Sequence, residues 1–101
     1  MDKSATRRVV VSRPTGLHAR PCVAVATMAR RFRSKIKVRC HRQTVDASDV
    51  LQLLTLGAGQ GTELVLLADG PDAEEALDAL EQLFANDFVL PETFGKSAGG
   101  E

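Results

Sequence analysis

The sequence predicts an α+β fold in two layers, in which helices cover one face of an antiparallel sheet. Strand-like and helix-like segments follow each other in the order β-α-β-β-α-β-α along the 101 residues. Residues 35–41 alternate between charged and apolar side chains, which is typical of a strand with one face in water. The helical segments are amphipathic, so each needs a sheet face on which to bury its apolar side.

The N-terminal third predicts a strand, a turn and a helix. Arg7–Arg13 (RRVVVSR) has the β-branched composition of a short strand, and Pro14–Gly16 forms a turn. Residues 19–31 carry apolar side chains at helical spacing. Pro21 is tolerated there because the first turn of a helix needs no intrahelical N–H donor.

The middle of the chain predicts a hairpin followed by a short helix. Lys35–His41 forms the second strand, and a turn near Arg42–Gln43 leads to a third strand at Thr44–Asp46. The helix lies within Ala47–Gly57. Its N-cap is Ser48 or Asp49, and its C-cap is Gly57.

The C-terminal part predicts one more strand and one more helix. Glu63–Ala68 is the strand, and Asp72 caps a helix over 73–87 with its acidic side chains outward. Residues 91–101 (PETFGKSAGGE) are expected to form a flexible tail. We therefore expect one domain over residues 1–90.

Composition excludes several classes of protein. The chain is 44% hydrophobic and 26% charged, which is ordinary for a globular domain. No apolar run reaches membrane-spanning length and no signal peptide is evident, so a cytoplasmic protein is expected. Cys22 and Cys40 are expected to be buried thiols. A metal site built from His18, Cys22, Cys40 and His41 is disfavoured, because neighbouring strand residues point to opposite faces. No metal or cofactor is predicted.

Charge is distributed unevenly along the chain. All but one of the 13 Lys and Arg residues lie in 1–43, and all but one of the 13 acids lie in 44–101. The basic segment 30–42 raises the alternative of a nucleic-acid-binding module. Zero net charge and only 4% aromatic residues argue against it, since base-stacking modules use aromatic side chains.

Gly16–Pro21 (GLHARP) is the most informative segment, because it breaks several rules for a helix start at once. It places His18 at a strand-to-helix junction and Arg20 in the first helical turn. Helix N-termini favour small polar caps and acidic side chains, since the positive end of the helix dipole lies there. An arginine at this position instead favours a bound anion, above all phosphate.

The same junction suits phosphoryl transfer to His18. A neutral imidazole is a nucleophile near pH 7, and a helix N-terminus is a poor place for an imidazolium. First-turn N–H groups, including that of Ala19, and the Arg20 guanidinium can stabilise an attached phosphoryl group. The sequence has no Gly-Lys-Ser/Thr phosphate loop with which to activate ATP. A phosphoryl carrier is therefore predicted rather than a kinase.

From about residue 7 to residue 88 the sequence resembles the HPr family, the phosphohistidine carriers of the bacterial phosphoenolpyruvate:sugar phosphotransferase system. Gly16–Pro21 matches the active-site signature of that family, and Leu54–Gly57 (LTLG) resembles its second signature. Gly61–Leu64 (GTEL), Asp69–Gly70 and the closing acidic helix agree in order and spacing. Several ordered matches are far more specific than one hexapeptide.

The resemblance implies an open-faced β-sandwich with a four-stranded sheet in the order 1-4-2-3 and three helices on one face. It implies that His18 receives a phosphoryl group on Nδ1 from Enzyme I and passes it to sugar-specific Enzyme II A domains. Arg20 assists, and Thr15 lies beside the site. The expected partners are these proteins and regulatory proteins, and neither nucleic acid nor a membrane. An alternative is a regulator that keeps the phosphohistidine but does not feed sugar transport.

One position departs from the pattern of Gram-positive relatives, which carry a regulatory serine at the start of the short helix. Counting back from Gly57, that position is Asp49, and Ser48 is one place early. Two interpretations of Asp49 follow. It is either an ordinary helix cap or the equivalent of a permanently phosphorylated serine. A shifted register would make Ser48 the regulated residue.

Two apolar groups are candidate partner surfaces. Val50 and Leu54 are expected to face outward from the short helix and to form a docking surface near His18, unless both belong to the core. Val65 and Leu67 are expected on the open face of the sheet, with Val10 beside them. That second group is either ordinary surface or a partner or dimer face.

Overall fold

The computed structural model describes residues 3–91. Its elements, in chain order, are β1 (Lys3–Val10), α1 (Ala19–Ala29), β2 (Lys35–Cys40), β3 (Gln43–Asp46), α2 (Val50–Leu54), β4 (Glu63–Gly70) and α3 (Ala73–Ala85). All pairings are antiparallel and the sheet order is β1-β4-β2-β3. The expected order of elements, the strand order and the α+β class are confirmed.

The core lies between the helices and one face of the sheet. Strict alternation of β2 places Ile36, Val38 and Cys40 inward and its cationic side chains outward. In β4, Leu64 and Leu66 are fully buried. α1 and α3 cover them with small and branched apolar side chains, chiefly Cys22, Val25, Leu77, Leu80 and Leu83. The two-layer packing follows directly from these two periodicities.

The first strand is longer at its start than its composition predicts. It begins at Lys3 and ends at Val10, whereas Arg7–Arg13 was expected. Backbone pairing explains the difference, because β1 pairs with β4 from Lys3 opposite Gly70 to Val10 opposite Glu63. Beyond Val10 the chain leaves the sheet to form the loop that leads to α1.

Other boundaries differ by a few residues. α1 ends at Ala29 and α3 at Ala85, each two residues before the expected end. The hairpin between β2 and β3 turns at residues 41–42, one residue early, and His41 adopts a φ of 56° there. β4 continues to Gly70 rather than ending at Ala68.

Two predicted helix caps behave differently from expectation. α2 is capped at its C-terminus by Thr55, and Gly57 lies two residues further on in the left-handed region (φ 60°). Asp72 occupies the N-cap position of α3 but makes no side-chain cap bond. Its carboxylate instead accepts hydrogen bonds from the backbone N–H groups of Arg33 and Ser34 and from the Ser34 hydroxyl. These bonds join the start of β2 to the start of α3.

The basic and acidic halves of the sequence interleave in space. Arg7 in β1 lies beside α3 and donates to the carboxylates of Glu74, Asp78 and Glu81 at 3.2, 2.8 and 2.7 Å. Arg8 lies 4.0 Å from Glu63. Ion pairs between the basic half and the acidic half of the sequence thus help to hold α3 on the sheet.

The predicted tail at 91–101 lies outside the described residues except for Pro91. In the described part of the chain, no helix has the length and hydropathy needed to cross a membrane. Residues 3–91 contain no cluster of three or more His, Cys, Asp or Glu side chains suited to a metal ion. Both thiols are buried and free, as expected.

Candidate functional site

His18 is the N-cap residue of α1, with extended backbone angles (φ −102°, ψ −162°). Its side chain is exposed and makes no cap hydrogen bond. The His18 carbonyl accepts the first intrahelical bond, from Cys22 N at 3.1 Å. The imidazole therefore stands at the positive end of a helix of 11 residues, in water and without a protein partner in the described range.

The loop before His18 is attached to the segment that follows α2. Leu17 N donates to the carbonyl oxygen of Ala58 at 2.9 Å, and Gly16 N donates to Arg13 O at 3.0 Å. Gly16 has a φ of 69°, and a Cβ at this position would lie 2.5 Å from Ala58 O. Only glycine fits this close approach, which explains the glycine two residues before the histidine.

The first turn of α1 offers free backbone donors and no acid. The N–H groups of Ala19 and Arg20 precede that of Cys22, which makes the first intrahelical bond, and Pro21 has no N–H. The first turn contains no Asp or Glu. The Arg20 side chain is exposed, and within residues 3–91 it forms no hydrogen bond or ion pair. Free amides, a cationic side chain and a first turn without Asp or Glu favour an anion at this end of α1.

Thr15 is exposed in the turn that precedes Gly16. The residues predicted for phosphate binding (Thr15, Ala19 and Arg20) are thus exposed, as His18 is, while Gly16 and Leu17 between them are buried. Beneath this stretch, the thiol of Cys22 is buried and contacts the Leu17 carbonyl at 3.9 Å. Burial raises the pKa of Cys22, so this thiol supports the helix start as an apolar side chain.

α2 lies beside α1 and runs in the opposite direction. The segment after α2 meets the start of α1 through the bond between Leu17 and Ala58, whereas Arg30 Nε, past the end of α1, donates to Ser48 O at 3.1 Å. Leu54 therefore lies toward the His18 end of α2, and Asp49 lies at the opposite end.

The structure distinguishes the two candidates at the start of α2. Asp49 is the N-cap, and its Oδ1 accepts the Gln52 N–H at 3.2 Å. Ser48 precedes the helix, and its hydroxyl donates to Asp46 Oδ1 at 2.7 Å. The Ser48 hydroxyl and backbone N–H together lower the pKa of Asp46. Asp49 thus occupies the N-cap position, immediately before α2, with its carboxylate directed at the helix backbone.

The exposed apolar positions of the helical face differ partly from those expected. Leu54 is 39% exposed, but Val50 is half-buried and packs against the core. Leu51, which was not singled out, is 75% exposed, and Val23 on α1 is 48% exposed. In a helix of five residues, periodicity assigns faces poorly, so only the packing of α2 on α1 reveals the outward residue.

The open face of the sheet carries the second apolar group. Val65 and Leu67 point away from the buried residues of β4 and are half-buried, and Val10 is 53% exposed. Val10 lies opposite Glu63, whereas Val65 lies between Arg8 and Arg39. The directly paired neighbours of Val10 and Val65 are therefore charged, whereas Val65 and Leu67 lie next to each other along β4.

Fold and site together define a class of protein: an open-faced β-sandwich that presents a histidine at a helix N-terminus, two residues before an arginine that is unpaired within residues 3–91. A family model described as the phosphorylation site of the HPr component of the phosphotransferase system (PTS) matches residues 5–86. The chain belongs to the HPr family of phosphocarrier proteins.

Individual relatives agree with this assignment. The chain is 39% identical to the phosphocarrier protein HPr of Treponema pallidum (strain Nichols), over 81% of this chain and 93% of that protein. It is 32% identical to the phosphoryl donor subunit of the PEP-dependent dihydroxyacetone kinase of Providencia stuartii (strain MRSN 2154), over 86% of this chain and 18% of that protein. The crystal structure of HPr from Bacillus anthracis str. Ames superimposes with a TM-score of 0.74 at 33% identity, over 86% of this chain and 98% of that one.

Proposed function

We propose that His18 accepts a phosphoryl group from phospho-Enzyme I and passes it to Enzyme II A domains in phosphoenolpyruvate-dependent sugar uptake. The observation that supports this most is the exposed His18 ring at the N-cap of a helix whose first turn holds free amides and no acid. Membership of the HPr family supports the same relay. The protein is then a stoichiometric intermediate and not an enzyme.

In the proposed step, a lone pair on Nδ1 of His18 attacks phosphorus. The P–N bond forms as the bond between phosphorus and the donor breaks, and the ring keeps its proton on Nε2. The amides of Ala19 and Arg20 and the Arg20 guanidinium stabilise the phosphoryl oxygens, with Thr15 beside them. Release to an acceptor is the reverse of this step, so the same groups serve both directions.

We assign partner docking to the exposed apolar side chains on the helical face. Leu51 and Leu54 on α2 and Val23 on α1 are exposed on the two helices that flank the His18 loop. Val50 is half-buried against the core, so only part of its side chain contributes to this surface. An exposed apolar surface beside a reactive group suits several partners in succession, because it demands no partner-specific pocket.

A second candidate is a carrier for a branch of the phosphotransferase system that does not import sugar. The similarity to the phosphoryl donor subunit of a dihydroxyacetone kinase favours this candidate. An aspartate at residue 49, where relatives carry a regulatory serine, is compatible with altered regulation. We favour the general HPr carrier, for which sugar uptake is proposed, because the similarity spans 93% of the Treponema pallidum carrier and only 18% of the kinase subunit. A cytoplasmic location is proposed for either role, supported by the two free thiols.

Incubation with phosphoenolpyruvate and Enzyme I tests the proposal. Intact mass is expected to increase by one phosphoryl group, in an adduct that is labile in acid and stable in base. His18→Ala abolishes the adduct, and His41→Ala, which changes the only other histidine of the sequence, leaves it unchanged. An adduct that survives in His18→Ala contradicts the proposal. Addition of an Enzyme II A domain or of a dihydroxyacetone kinase then separates the two candidate roles.

A further inference from the structure

The chain after α3 is held in an unusual conformation close to the loop that carries His18. Asn86 caps α3, and the next two residues, Asp87 and Phe88, have φ values of 66° and 63°. Bulky side chains rarely adopt this left-handed conformation, so the surrounding packing must enforce it.

Burial of Phe88 supplies that constraint. Its side chain is 2% exposed, and its ring lies edge-on to Phe84 with 4.8 Å between centroids. Phe88 N donates to Leu83 O at 2.9 Å, and the Asn86 side chain bonds to both backbone polar groups of Val89. The segment 86–89 is therefore an ordered part of the domain.

The fixed backbone directs the Asp87 carboxylate at Arg13. The two side chains form an ion pair through Arg13 Nη1. The Arg13 side chain is only 19% exposed, whereas that of Asp87 is 65% exposed. Removal of the carboxylate leaves a mostly buried guanidinium without its partner, which favours movement of the loop that carries it.

Arg13 is connected to His18 by a short series of backbone bonds. The Arg13 carbonyl accepts the Gly16 N–H at 3.0 Å, and the Gly16 carbonyl accepts the His18 N–H at 3.2 Å. Between them, Leu17 N is bonded to Ala58 O at 2.9 Å. Residues 13–18 are thus held at two places: by Ala58 from the side of α2 and by Asp87 from the end of α3. The preceding residues Val11 and Ser12 are bonded to the segment 60–62.

We infer that Asp87 and Arg13 are positioning residues for the His18 site. Their ion pair fixes the loop 13–18 so that the imidazole stays at the N-terminus of α1. This inference rests on the proposed function. Neither residue is assigned contact with the phosphoryl group, so their effect falls on the rate of transfer and not on partner binding.

The test compares Asp87→Asn, which removes the charge at constant size, with Asp87→Glu, which keeps it. The matched control is Glu75→Gln, an exposed acid of α3 with no hydrogen bond or ion pair within residues 3–91. With Enzyme I as catalyst, Asp87→Asn is expected to lower kcat for phosphorylation about fivefold at unchanged KM. Asp87→Glu restores most of the rate, and the control matches the unmodified protein.

Amide hydrogen exchange provides a readout that does not depend on phosphorylation. We expect faster exchange at the Leu17 and Gly16 amides in Asp87→Asn, with amides in the middle of β4 unchanged. Unaltered kcat together with unaltered exchange at these two amides overturns the inference. Failure of the unmodified protein to accept a phosphoryl group refutes the proposed function instead, and the exchange result then decides whether Asp87 orders the loop.

Discussion

The backbone N–H of Leu17 donates to the carbonyl oxygen of Ala58 at 2.9 Å, and this bond joins the start of α1 to the segment after α2. It sets the residue before His18 against a fixed point of the fold. The two signatures recognised in the sequence, around His18 and around Gly57, are therefore neighbours in space because their backbones bind each other.

Gly16→Ala should destabilise the domain more than Gly57→Ala does. A Cβ at residue 16 would lie 2.5 Å from Ala58 O, at a φ of 69°. We expect a loss of about 2 kcal/mol or more in the free energy of unfolding, measured by urea denaturation. Gly57→Ala is the control, since it has a φ of 60° and no atom within 4 Å of the added Cβ. It should cost about 1 kcal/mol. Equal losses in both variants would contradict the close approach.

Arg20→Ala should slow phosphorylation of His18 without destabilising the domain. The guanidinium is exposed and unpaired within residues 3–91, so its removal breaks no described contact. A hydrogen bond to a charged group contributes about 1.5–3 kcal/mol, which corresponds to a rate reduction of about tenfold or more. Single-turnover phosphorylation kinetics measure the effect. Arg42→Ala, in the hairpin turn, is the control and should retain the full rate. A normal rate in Arg20→Ala would remove this arginine from the site.

Asp49→Ser tests whether a fixed negative charge at the start of α2 weakens docking. Serine is also a good N-cap, so stability should change little. Asp49 lies at the end of α2 away from His18, so we expect a lower KM for Enzyme I, by about threefold, and an unchanged kcat. The comparison is Asp69→Ser, which makes the same change in β4 on the open face of the sheet. Identical kinetics of Asp49→Ser and the unmodified protein would show that Asp49 is only a helix cap.

The acid stability of the domain should depend on Asp72. Hydrogen bonds from the Arg33 N–H and from Ser34 lower the pKa of this carboxyl. A carboxyl with a lower pKa in the folded state stabilises the fold above its ordinary pKa of about 4, and this contribution disappears as the pH falls further. Urea midpoints of the unmodified protein and Asp72→Asn should therefore differ clearly at pH 7, and the difference should shrink as the pH falls below about 4. A difference that stays constant over this range would argue against the assigned hydrogen bonds.

The sequence was sufficient to predict most of the fold, because its two periodicities are clear. β2 alternates at every residue, and α3 has a continuous apolar stripe, so their buried faces follow from spacing alone. The position of His18 at the N-cap of α1 was also predictable, since the turn residues before it and Pro21 after it restrict where the helix can begin.

What the sequence did not reveal depends on contacts between distant segments. Residues 3–6 form strand only because β4 lies beside them. Asp72 looks like an ordinary cap, yet its carboxylate accepts hydrogen bonds from the backbone N–H groups of Arg33 and Ser34, before β2. Phe88 follows the predicted end of α3 by one residue, and its burial becomes evident only from the packing on Phe84. The exposure of Leu51 likewise depends on how α2 lies on α1.

Nuclear magnetic resonance of the protein before and after phosphorylation by Enzyme I tests the central claim most directly. We predict a phosphoryl group on Nδ1 of His18, together with downfield shifts of the Ala19 and Arg20 amide protons as they bond to its oxygens. Amides of the open sheet face should be unchanged. A phosphoryl group on His41, or Ala19 and Arg20 amides that do not respond, would contradict the account.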